Sequence, residues 1–147
     1  MKNIFFKAFF SLSLIFLVST GSIVAHKISE KQMKKDVSYL ASDELEGRNT
    51  GSAGEALAAE YVAKRFEKLG LTPKGTDNYY QVFTFTPQKN PHMVSEEEVA
   101  EESGKNVIGY LDNGAPTTII IGAHFDHLGY GGKGSGSMST DEGQIHN

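Results

Sequence analysis

Apolar residues recur at helical spacing twice in the first half of the chain. Met33, Val37 and Leu40 lie three and four apart, which predicts a helix running to about Ser42 with these three on its buried face. Ser29 is placed as its N-cap, Gln32 closes a capping box, and Ile28 and Met33 form a hydrophobic staple. A second stripe of Leu57, Ala58, Tyr61, Val62, Phe66 and Leu69 predicts a helix opened by a Ser52–Glu55 capping box and stopped by Gly70. The intervening SDELEGRNTGSAGE is rich in turn formers and reads as a loop joining the two helices.

Beyond Gly70 the helical period is lost. NYYQVFTFT, residues 78–86, is aromatic and β-branched and predicts a strand ended by Pro87. Residues 88–105 are acidic and polar, with Glu96, Glu97, Glu98, Glu101 and Glu102. They read as a solvated excursion containing at most a short helix capped by Ser95. Residues 107–111 and 117–121 flank Asp112-Asn113-Gly114, a hairpin signal.

The second hairpin strand runs into the most informative segment, TIIIGAHFDHLG at residues 118–129. An apolar strand stops at Gly122 and is followed by His124 and Asp126. Two side chains two residues apart on an extended chain leave on the same side. One can then ligate a metal while the other orients it, because a zinc-bound histidine commonly gives its second ring N–H to a carboxylate. On spacing alone a histidine after a strand is more often an ordinary loop residue than a ligand. His127 belongs on the other face, and His26, His92 and His146 form no ligand pair at helical spacing.

The first 25 residues have the shape of a secretory signal peptide. Lys2 and Lys7 precede an apolar core that is shorter than the ~20 residues of a membrane span. Small residues lead to Ala25, the expected cleavage point, so a secreted or periplasmic product is expected, with no membrane attachment after cleavage. Mass spectrometry of the exported product should find an N-terminus near His26; an intact Met1 would rule cleavage out. The chain has no Cys, which excludes disulfides and a lipid-anchored cysteine. Cleavage removes two lysines and no acid, moving the formal charge from −4 to −6 and leaving 122 of 147 residues for one core. That charge, without a basic patch, argues against nucleic acid as a partner.

Two motifs compete with the metal reading. Gly129-Tyr130-Gly131-Gly132-Lys133-Gly134 fits G-x-G-x-x-G after a strand, yet a dinucleotide site needs a helix opening at the last glycine, and SGSMSTDEG is not helical in character. A P-loop needs Ser or Thr after Lys133, where Gly134 stands, and no G-x-S-x-G elbow is present.

Taken together, LASDELEGRNTGSAGEALAAEYVAKRFEKLGL, NVIGYLDN and TTIIIGAHFDHLGYG resemble the co-catalytic zinc metallopeptidase family of secreted bacterial aminopeptidases, to which glutamate carboxypeptidase is related. The resemblance spans residues 28–147, three segments matching in order. It implies an α/β fold with a mixed central sheet flanked by helices, and hydrolysis of peptide substrates by two zinc ions. His124 would be a ligand of one zinc, with Asp126 the catalytic-site carboxylate that orients it. In such two-metal hydrolases the ions polarise the scissile carbonyl and lower the pKa of a bound water to about 7. The family's bridging Asp, its other ligands and its Glu general base lie downstream of the H-x-D strand. Asp141 and Glu142, the only acids after Asp126, do not match that motif. The expectation is therefore the N-terminal part of a zinc exopeptidase, truncated after the strand carrying H-x-D and inactive alone. A non-catalytic peptidase-like binding module is the alternative, and a nucleotide-binding protein using Gly129–Gly134 is a further rival.

Overall fold

A computed structural model describes residues 29–87, 100–131 and 143–147. The chain divides into two units, Met1–Glu30 and Lys31–Asn147, and the second carries nearly everything described below. The signal-peptide region, Ile28, His26, His92, the Ser95–Glu98 segment, Gly132–Gly134, Asp141 and Glu142 lie outside the described residues.

Helix α1, Glu30–Leu40, is formed where expected but is turned about its axis. Met33 and Val37 are exposed instead of buried, at 55% and 65%. The partnered side carries Gln32, Asp36 and Tyr39, a stripe of the same period displaced by one residue. Polar bonding decides the rotation. The Asp36 carboxylate accepts from Gln32 Nε2 at 2.8 Å and from Tyr61 Oη at 2.6 Å, and pairs with Arg65 Nε at 3.1 Å. The Tyr39 and Tyr61 rings stack alongside, 4.5 Å between centroids. An acid so tied to the next helix outweighs two aliphatic contacts.

Burial works to raise the Asp36 pKa, but the hydrogen bonds from Tyr61 and Gln32 and the Arg65 charge outweigh it and hold the carboxyl below its ordinary value. Burial and the Asp36 bond push the Tyr61 hydroxyl up. A carboxyl whose pKa is lower folded than unfolded stabilises above the unfolded value, about 3.9, and that stability is lost as pH falls through the folded value. Asp36→Asn should therefore cost about 1 kcal/mol at pH 7 and less at pH 2–3. Urea midpoints at both pH values check this, and an equal loss at both would refute it.

A 3-10 turn, Asp43–Arg48, buries Leu45 completely. Helix α2, Ala53–Lys68, begins at Ser52, whose Oγ accepts the Glu55 N–H at 3.1 Å. The reciprocal half of the capping box is absent. The Glu55 carboxylate, 2% exposed, instead accepts the Lys105 N–H at 2.9 Å and ties the helix to a strand. Among the residues expected in the α2 core, only Ala58 is fully buried. Leu57 and Leu69 are 38% and 50% exposed, and the seam is made by Ala58, Ala59 and Ala63. Small side chains let the helix backbone come close, leaving the larger ones to flank the contact. Gly70 ends the helix as expected, with its N–H on Glu67 O and that of Leu71 on Phe66 O.

Among the described residues the strands form three two-stranded antiparallel sheets. Strand β1, Thr72–Pro73, pairs with β4, Gly109–Tyr110; β2, Tyr80–Phe85, pairs with β3, Glu102–Val107; β5, Gly129–Tyr130, pairs with β6, Ile145–His146. The class is α/β, in small antiparallel pairs rather than one mixed sheet. β2 lies within the predicted strand. β3 corrects the reading of residues 88–105, whose last residues form a strand although polar. A two-stranded ribbon leaves most positions open to water, and Gly104 is the buried one of the six.

The predicted hairpin does not form. Asp112 Oδ1 accepts the Gly114 N–H in a local turn, but residues 117–121 join no strand, and Ile119, Ile120 and Ile121 are 86%, 90% and 91% exposed. The preceding residues Gly109–Tyr110 pair with β1 instead.

Candidate metal centre

The 3-10 turn closes with an unusual backbone. Glu46, Gly47 and Arg48 have φ of 51°, 66° and 53°, three left-handed residues in succession. Such backbone costs energy at each non-glycine position and persists only when its surroundings fix it. Gly47 is buried, and a Cβ there would lie 2.6 Å from the carbonyl oxygens of Gly129 and His146, so the middle position accepts only glycine.

This turn presents Arg48 to two parts of the chain. Its Nη1 donates to Leu40 O, one of the carbonyls left without an intrahelical partner at the end of α1. Its Nε donates to Phe125 O at 2.8 Å. The Arg48 carbonyl accepts the His127 N–H at 2.9 Å, and Asn49 and His127 form a parallel bridge. The H-x-D segment is thus laid along residues 48–50.

Within that segment His124 and Asp126 meet as the spacing predicts, with His124 Nδ1 2.8 Å from Asp126 Oδ1. Thr50 Oγ1 donates to the other carboxylate oxygen, Oδ2, at 2.9 Å. Burial works to raise the Asp126 pKa, but the hydrogen bonds from His124 and Thr50 and the His124 charge outweigh it, holding the carboxyl below the ordinary range. The His124 side chain is 92% exposed. With Nδ1 engaged by Asp126, Nε2 is the nitrogen left to face an incoming ligand.

No family model matches the chain, and no curated protein and no solved structure matches it either. Whatever function is assigned rests on the residues themselves.

Zinc takes three or four protein donors. Among the described residues no three His, Cys, Asp or Glu side chains are gathered to hold a metal, so these residues fit one corner of such a site and not the whole. His127 contributes its backbone and His146 sits in β6 opposite Gly129; neither joins the His124–Asp126 pair. The glycine-rich motif starts inside a strand, and the Gly131 N–H donates to Gln144 O at 2.7 Å, which removes one donor that a phosphate cradle would need.

Arg48 and Thr50 are the site residues that sequence periodicity passes over. A usable signal was there. An arginine in a run of turn formers just after a helix end carries five donors and no acceptor, and orphaned carbonyls are what it can satisfy.

Proposed function

We propose that the chain belongs to a zinc-dependent exopeptidase of the aminopeptidase type, exported to the periplasm or medium. In this reading His124 is a metal ligand through Nε2, Asp126 orients it, and residues 117–121, which join no strand in the described chain, would pair as a strand of a mixed central sheet flanked by helices once both their faces are covered. The observation carrying it is the 2.8 Å contact of His124 Nδ1 with Asp126, which leaves the outer ring nitrogen free at an exposed position. That is the arrangement in which a carboxylate fixes a zinc-binding imidazole. The β-branched run Ile119–Ile121, exposed on all sides, has the character of a strand buried on both faces.

The test uses the product of the complete reading frame containing these residues. Zinc retained after dialysis and hydrolysis of aminoacyl nitroanilides are measured for the wild type, Asp126→Asn and His124→Ala. The expected loss is about 10- to 100-fold for Asp126→Asn and greater for His124→Ala. Unchanged zinc content and rate in His124→Ala would overturn the assignment. Zinc retention without turnover in the wild type would favour the non-catalytic binding module.

A further inference from the structure

We propose that Thr50 is a positioning residue for the His124–Asp126 pair, its hydroxyl fixing the Asp126 carboxylate so that Asp126 selects the Nδ1–H form of His124 and points Nε2 outward. The inference rests on the reading of His124 as a ligand. His124 is 92% exposed, and its one side-chain partner among the described hydrogen bonds is Asp126. Its direction is therefore inherited from the carboxylate. A carboxylate held at one oxygen still swings about its terminal torsion, which is broad and roughly two-fold. Held at both, Oδ1 by the ring and Oδ2 by Thr50 at 2.9 Å, it does not.

The backbone around Asp126 is fixed by the same turn. Phe125 O accepts from Arg48 Nε, and the His127 N–H donates to Arg48 O. The residues before and after Asp126 are thus both held by Arg48, and the Asp126 side chain by Thr50. The three left-handed residues 46–48 bring Arg48 and Thr50 to this edge, which gives the strained backbone a purpose.

Thr50 also has a packing role that must be separated from its hydroxyl. A Cβ added at Gly104 would lie 2.8 Å from Thr50 Cγ2, so the methyl rests on β3. Thr50→Val keeps a branched, packed side chain and removes the donor; Thr50→Ser keeps the donor and removes the methyl. Long-range proton–nitrogen NMR on the 147-residue chain, without metal, reads which ring nitrogen of His124 carries the proton, the resonances being assigned with His124→Gln. In the wild type and Thr50→Ser the Nδ1–H form should dominate. In Thr50→Val the ratio of Nδ1–H to Nε2–H should fall by about threefold or more, the scale of one lost hydrogen bond felt through a neighbour.

An unchanged ratio in Thr50→Val, or a fall confined to Thr50→Ser, would overturn the proposal and leave Thr50 with packing alone. Should Thr50→Val lose its helical circular dichroism, Thr50→Cys repeats the comparison with Thr50→Ser, a thiol being a weak donor in nearly the same volume. Because the readout needs no zinc, a tautomer shift in Thr50→Val beside unchanged zinc content and rate for His124→Ala in the product of the complete reading frame sinks the peptidase reading and keeps the positioning role. A chain that binds metal with no tautomer shift does the reverse.

Discussion

Gly54→Ala is expected to destabilise the chain by about 3 kcal/mol, the upper end of what overpacking one methyl costs. Gly54 is buried in the first turn of α2, and a Cβ there would lie 1.8 Å from Leu45 O and 2.6 Å from Leu45 C. The clashing atoms are backbone, so no rotamer change relieves them. Leu45 is wholly buried and is followed by the left-handed residues 46–48 that carry Arg48 and Thr50. Moving it away from the helix therefore moves the turn that holds the H-x-D segment. Alanine is the better helix former by about 1 kcal/mol, and that gain is too small to reverse the sign. Urea denaturation should show a lower midpoint at unchanged slope, the mark of lost stability rather than a changed unfolded state. A midpoint equal to or above that of the wild type would show that helix and turn can separate freely.

Features legible in the sequence were those fixed by neighbours along the chain. The Ser52 cap and the Gly70 stop bracket α2 closely, because caps are local chemistry. The meeting of His124 with Asp126 also follows from two residues of extended chain. Features set by distant partners were not legible. The face of α1 turns on Asp36 finding Tyr61 and Arg65, residues 25 and 29 positions away. β3 is a strand because β2 offers it a register, Tyr80 opposite Val107, despite its polar residues. The hairpin at Asp112-Asn113-Gly114 had the right turn chemistry, but a turn signal cannot show that Gly109–Tyr110 pairs with β1 instead. Arg48 and Thr50 escaped for the same reason. Their partners, Phe125 and Asp126, lie 77 and 76 residues on, and nothing periodic links them.

The chain from His26 onward is expected to self-associate through residues 117–121, and Ile120→Lys to suppress it. Ile119, Ile120 and Ile121 are 86–91% exposed in succession, and a β-branched apolar run with unpaired backbone is a template for a second copy. Burying an isoleucine side chain is worth about 1.5–3 kcal/mol, so six of them across two copies offer roughly 9–18 kcal/mol. Bringing two chains together costs an estimated 4–15 kcal/mol. Taken end for end the two terms leave roughly 3–5 kcal/mol, which predicts reversible association with a Kd of about 1 mM and not an irreversible aggregate at once. Net negative charge opposes it, so added salt should strengthen it. A lysine at position 120 removes one isoleucine from each copy and sets two like charges close together across the pairing, so the association constant should drop at least about tenfold. Sedimentation velocity at concentrations around that Kd decides the matter. A wild-type chain that stays monomeric throughout, with Ile120→Lys no different, would refute pairing of two copies through residues 117–121.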